Sequence, residues 1–374
     1  MLLKIDNPGV HRLGLKIFSV LTIRKLAKLL FSRSAIVNQV KLWQRELPYV
    51  KPFYAVKSNN DPRLLRWLAD QDVAFDCASP QEIRDVGGLK SQIIYANPCK
   101  APRDIQAAAH LGATTTVVDC VEEVEKLHTM GWPGSTLIRL KVPDSGSAQP
   151  FSKKFGAPLE TIHEITRALF EFRIPHAGWS FHVGSQCQEP RQFYEAILCA
   201  AAAEEASRVR QGLRVVPTTV DIGGGFLPSP EVFCPAAAEV RRAKPLFPPE
   251  TRWIAEPGRF FSARSARLRV EVIGVSNKGT KITVNESVYG AFSNIIMDGF
   301  VPQFRLINRD PPYTTEQRTI FGHTCDSADC LATDIPLPAL RVGDILEVAE
   351  MGAYTTVSAS TFNGFPLADR VYEE

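Results

Sequence analysis

From residue 50 onward, short runs rich in β-branched and aromatic residues alternate with longer stretches whose apolar side chains recur every three or four positions. The β-type runs are 52–57 (PFYAVK), 74–79, 93–98, 114–119, 136–142, 177–185, 215–222 and 252–257. Helical patterns fill the intervals 62–71, 79–88, 102–112, 121–130, 158–172, 189–211 and 231–244. Asp104, Glu122 and Glu160 sit near helix starts, where the helix dipole favours negative charge. Eight strands alternating with helices over roughly 210 residues predict a (β/α)8 barrel, an α/β fold of typical size.

The pattern changes after residue 262. Short alternating runs (RLRVEVIGV, KITVNES, DILEVAEM, YTTVSAS) separated by turn signals predict a second, mostly antiparallel β domain over 263–374, joined by residues 1–30. The segment 299–320 carries Pro302, Pro311 and Pro312 without a clear period and reads as a surface loop. Residues 13–30 are apolar but interrupted by Lys16, Arg24, Lys25 and Lys28, which excludes a transmembrane span and fits a signal peptide poorly. A strand or helix packed on the second domain is the expectation there; a mitochondrial-type presequence is the alternative.

In a barrel of this kind the active site lies at the carboxyl ends of the strands. The residues at those ends are Lys57, Asp76, Asn97, Asp119, Arg139, His182 with Ser185, Asp221 before Gly223-Gly224-Gly225, and Glu256 with Arg259. So uniform a polarity points to one ring of functional groups. Lys57 closes an apolar run, where desolvation disfavours the ammonium and leaves a nucleophilic amine suited to Schiff-base chemistry. The three glycines follow the seventh strand and Arg259 follows the eighth, the loops that hold phosphate in many barrels. Glu256, in Glu256-Pro257-Gly258-Arg259, offers a carboxylate to a pyridine nitrogen, and Arg259 a fixed cation to a phosphate. His182 can stack on an aromatic ring. Together these residues describe a pyridoxal phosphate site; a barrel aldolase would use lysine, glycines and arginine but has no need of the carboxylate. Cys325 beside Asp326 reads, on its own, as an inert thiol.

Composition narrows the classes further. The chain has 374 residues, 45% of them apolar and 22% charged, as in an ordinary soluble protein of one large and one smaller domain. A formal net charge of +3 gives no footprint for nucleic acid. Eight cysteines without a C-x-x-C pair suit reduced thiols in a cytoplasmic protein. No nucleic-acid or membrane partner and no metal site is expected.

The motifs PFYAVKSN, FDCAS, IIYANPCK, KKFGAP, SFHVGSQC, DIGGGF, AEPGRF, VYGAFSNIIMD, GHTCDSAD and EMGAYTTVSASTFNGF, in that order from about residue 30 to 366, resemble the eukaryotic-type ornithine decarboxylase family. The resemblance implies a pyridoxal phosphate enzyme with an alanine-racemase-like barrel that converts L-ornithine to putrescine. It implies that Lys57 binds the cofactor aldehyde and His182 stacks on the ring. Asp76 and Arg139 would support the ring, and Glu256, within Glu256-Pro257-Gly258, would meet its nitrogen. Ser185, Gly224, Gly225, Arg259 and Tyr354 would hold the phosphate. It further implies a homodimer with shared sites, in which the partner's Cys325 returns a proton to the substrate carbon. Asp326 from the same neighbour, with Met297 and Asp298, would hold the distal amine, and Lys154 with Asp329 would bridge subunits. Met297 stands where many members carry an aromatic residue, Ser58 replaces a common cysteine, His323 replaces a common proline, and the first 30 residues show no clear match. A substrate such as lysine or arginine, and a silent regulator like the antizyme inhibitors, are the alternatives.

Overall fold

The computed structural model describes residues 26–211, 218–311 and 313–374. The N-terminal segment up to residue 25, and residues 215–217 of the seventh expected strand, lie outside them.

Strands Val50–Ala55, Ala74–Cys77, Ile93–Tyr95, Thr115–Val118, Ser135–Arg139, His176–Ser180, Thr219–Asp221 and Arg252–Ala255 close a parallel barrel. Each falls on one of the eight expected runs or overlaps it by most of its length. Phe53, Ala74, Ile94, Val117, Leu137 and Ile254 are buried together and plug the barrel interior. The remaining apolar faces pack outward against the surrounding helices in one continuous core. Capping helps direct the chain out of the rim. Asp61 accepts from the backbone N–H groups of Arg63 and Leu64 ahead of helix Pro62–Ala69, and Ser79 accepts from that of Glu82 ahead of Pro80–Gly87.

The second domain is a mixed, mostly antiparallel sheet built from Ala266–Ser276, Lys281–Val284, Phe304–Leu306, Thr315–Phe321, Cys330–Pro338 and Ile345–Val348. Lys28–Ser32 joins it, antiparallel to Ala266–Ser276 and parallel to Asp369–Glu373. Of the two forms expected for the N-terminal region, the strand is the one seen over these residues. The expected loop at 299–320 is corrected: it contains Phe304–Leu306 and Thr315–Phe321. The second strand alternates, turning Arg318 and Ile320 inward, while Pro302 and Pro311 lie before or between the strands and not within them.

The two domains meet at the turn that follows the first barrel strand. Asn59 donates its side-chain amide to the carbonyl of Gly352 at 2.7 Å, and the Tyr354 N–H donates to the carbonyl of Ser58 at 2.8 Å. Two residues further on, buried Asp61 accepts from Arg370 at 2.9 Å and from the Tyr372 hydroxyl at 2.8 Å. Gly352 is required by space. A Cβ there would lie 1.8 Å from the carbonyl oxygen of Ser262. Gly352→Ala is therefore expected to lower stability by about 1–3 kcal/mol through overpacking, read as a lower urea midpoint with an unchanged slope.

Candidate active site

The first barrel strand ends at Ala55, and Lys57 sits in a single helical turn, Val56–Ser58, which corrects the expectation that it closes the strand. The turn is needed to bring Ser58 and Asn59 to the second domain. Lys57 is accessible through the barrel mouth, yet charged groups surround it. Desolvation pulls its pKa down, but the negative charges of Asp76 and Glu256 outweigh that, and the net shift is upward. The expected desolvated free amine is thus corrected to a stabilised ammonium.

Lys57 lines a narrow cavity with His182, Ser185, Gly224, Gly225, Glu256, Gly258, Arg259 and Tyr354. These belong to the residues proposed for the cofactor from sequence, and they converge from four strand ends and one loop of the second domain. Pro257 is buried beside them, and Asp76 and Arg139 stand behind the lining. Ala55, Phe151, Gln186 and Phe226 complete the wall and were missed. Phe151 sits just before the KKFGAP motif, in a loop that buried Asp144 organises by accepting from the N–H groups of Phe151 and Ser152. No sequence period marks such a loop.

The imidazole of His182 is held neutral. Burial first, then the charges of Arg139 and Lys57, push its pKa well below the ordinary value. Its Nδ1 accepts from the Gly184 N–H at 3.0 Å, which leaves any ring proton on Nε2. A neutral ring 4.8 Å from that of Phe151 suits stacking and not proton donation. Burial is also the leading cause that raises Asp76, while it lowers Arg139.

Arg259 follows the eighth strand. Its Nη2 lies 2.7 Å from Asp298 Oδ2 and 3.4 Å from Ser185 Oγ, and its guanidinium carbon is 4.9 Å from the Tyr354 ring centre. Its Nε is buried without a partner. The glycines leave room beside it: a Cβ on Gly224 would lie 2.8 Å from both His182 Nε2 and the Glu256 carbonyl, and one on Gly225 2.6 Å from the Gly184 carbonyl. Tyr354 adopts a left-handed φ of 56°, uncommon away from glycine, and the Ser58 contact holds it there. An orphaned guanidinium nitrogen, the buried Glu256 carboxyl and a cradle that admits only glycine fit a ring carrying a phosphate and a basic nitrogen. Pyridoxal phosphate fits these residues.

The substrate-binding candidates divide. Asp298 is buried on Arg259, and Gln186 donates to its carbonyl at 3.0 Å. Met297 is 60% exposed. Cys325 is exposed, with its N–H on the Asn363 side chain at 3.1 Å, and Asp326 accepts from the Tyr289 hydroxyl; neither lines this cavity. Asp329 is buried and accepts from Val288 and Thr324, while Lys154 is exposed with its ammonium 4.9 Å from the Phe155 ring centre. Lys154 and Asp329 do not meet within the chain.

Residues 33–263 match the model of the pyridoxal-dependent decarboxylase, pyridoxal binding domain. The chain belongs to the pyridoxal-dependent decarboxylases. It is 36% identical to an ornithine decarboxylase of Panagrellus redivivus, over 91% of this chain and 83% of that one. It is 35% identical to antizyme inhibitor 2 of Xenopus laevis, over 88% of this chain and 77% of the other. Among solved structures, it superimposes on the arginine decarboxylase of Paramecium bursaria Chlorella virus bound to agmatine with a TM-score of 0.89 and 31% identity, covering 94% and 98% of the two chains. The lysine/ornithine decarboxylase of Vibrio vulnificus with putrescine gives 0.84 and 30%, covering 93% and 94%. The resemblance drawn from the motifs is therefore sustained, and with it the barrel and the cofactor.

If Lys57 takes the cofactor aldehyde, attachment needs its neutral amine, and the raised Lys57 pKa makes attachment faster as pH rises through and above neutrality. Asp76→Asn removes one stabilising charge and moves that profile to lower pH. The borohydride-reducible adduct formed per minute, measured across a pH series, checks both expectations.

Proposed function

We propose that this decarboxylase converts L-ornithine to putrescine and carbon dioxide, as a cytoplasmic homodimer whose sites are shared between protomers. The observation that carries the substrate reading is Asp298, a short acid buried on Arg259, which itself lines the cavity. A carboxylate there can meet the distal ammonium of a basic amino acid. The relatives named for ornithine support the choice; Met297 beside Asp298 keeps lysine and arginine as competitors. Free cysteines, buried and exposed, support a reducing compartment.

Pyridoxal phosphate, when bound, supplies an electron sink for the electron pair left on the α-carbon after carbon dioxide departs. The chain does the rest. Lys57 would hold the aldehyde. Glu256 would meet the ring nitrogen, neutral His182 would cover one ring face, and Arg259 with the glycine backbone would neutralise and orient the phosphate. Cys325, supplied by the other protomer, returns a proton to the α-carbon, and its neighbour Asp326 receives the distal amine with Asp298. The sharing reading is supported by two facts of placement: Cys325 and Asp326 lie outside the cavity of their own barrel, and Ile296, Met297 and Val301 are largely exposed beside it. The silent-regulator reading is disfavoured, because every proposed cofactor contact is present here.

With a panel of basic amino acids, kcat/KM is expected to be largest for ornithine; a larger value for lysine or arginine refutes the substrate choice. Lys57→Ala abolishes the borohydride-reducible chromophore and nearly all turnover, and Cys325→Ala lowers turnover about 10²- to 10⁴-fold, as loss of a positioned proton donor does. Mixing these two inactive variants restores about a quarter of wild-type activity if sites are shared in a twofold dimer; no recovery on mixing argues for self-contained protomers.

A further inference from the structure

Asp221 is fully buried at the end of the seventh barrel strand, and no role has yet been given to it. Glu256 is buried just beyond the end of the eighth. One glycine links them: the Gly223 N–H donates to Asp221 Oδ1 at 2.9 Å, and the Gly223 carbonyl accepts from the Glu256 N–H at 2.7 Å. Each carboxyl retains one buried oxygen, Asp221 Oδ2 and Glu256 Oε1, that lacks a partner of ordinary hydrogen-bond geometry. The two groups nonetheless face each other closely enough to act on one another as hydrogen-bond partners.

Two adjacent buried carboxylates cannot both ionise without a large desolvation cost, whereas one proton between them satisfies both orphaned oxygens. The surroundings do not supply enough positive charge to avoid this. The groups acting on the pair are Lys57 and Arg139, which favour ionisation, and Asp76, itself buried, which opposes it. His182, on the neighbouring loop, is neutral. Burial raises Asp221 to about 6 and carries Glu256 upward as well, in a coupled titration that belongs to the pair.

We propose that Asp221 and Glu256 hold a single proton between them at neutral pH, and that Asp221 is a positioning residue setting how strongly Glu256 accepts a hydrogen bond from the cofactor's ring nitrogen. Asp221 does not line the cavity, so it acts only through Glu256. The second half rests on the cofactor reading; the first half is a property of the protein alone.

The test is infrared spectroscopy of the full chain at neutral pH, with and without added pyridoxal 5′-phosphate, on wild type, Asp221→Asn and Glu256→Gln. Each substitution is expected to remove the same single carboxylic-acid carbonyl band. Asp221→Asn is expected to retain cofactor while shifting the pH midpoint of its visible absorbance, a change that a purely structural role would not produce. If Asp221→Asn leaves the band and the midpoint in place, the proposal is overturned. Should Asp221→Asn fail to fold, a band that persists in Glu256→Gln overturns it, and a band lost there sustains it. A wild type that binds no cofactor sinks the functional reading while leaving the shared-proton result to stand or fall on the band.

Discussion

The site depends on a seam of four hydrogen-bonding residues. Ser58 and Asn59, directly after Lys57, are tied to Gly352 and Tyr354 of the β domain, and neither side of this contact can move alone. The barrel places the lysine, but the second domain fixes the turn on which the lysine stands and returns Tyr354 to the phosphate end of the same cavity. The seam is buried and polar, and its donors and acceptors are matched, so loosening it would leave unsatisfied groups in the interior. A barrel alone would have the right strand ends and a poorly placed nucleophile.

Around that fixed point the barrel mouth concentrates charge in a confined space. Asp76, Asp221 and Glu256 are buried, Arg139 is partly so, and Lys57 sits among them. Burial makes each carboxyl a reluctant anion, and the ammonium is stabilised because it offsets them. The imidazole of His182 experiences the opposite pressure and stays neutral. One electrostatic arrangement thus sets a stabilised ammonium, buried carboxyls and an uncharged imidazole side by side, without a separate device for each.

Much of this was legible in the chain because barrels convert position into function. Eight alternating runs located the rim, and polar residues at their ends identified the groups that converge there. The register of the lysine was less legible: a strand and the turn after it share the same apolar letters, and the contact that bends the chain at Val56 comes from residues almost three hundred positions away. Thr315–Phe321 was obscured by the prolines near it and by its polar, exposed start at Thr315, Glu316 and Gln317, with only Arg318 and Ile320 turned inward after it. Phe151 lies in a loop ordered by Asp144, and Gln186 in the three-residue strand Ser185–Cys187; neither is long enough to leave a period to read. The sign of the Lys57 shift could not be inferred from one strand either, because it is a sum over charges on several.

The pairing of Asp298 with Arg259 has a thermodynamic consequence. The arginine that suits a phosphate is also the counter-ion of the acid that suits a distal ammonium. Charge drawn to one partner is withdrawn from the other, and the effect is reciprocal: an anion on the guanidinium frees the acid, and a cation on the acid frees the guanidinium. Under the proposed assignment, occupancy at the phosphate end and discrimination at the far end of the substrate would be linked functions, and a change made to sharpen selectivity at Asp298 would alter the affinity for the anion in the same stroke.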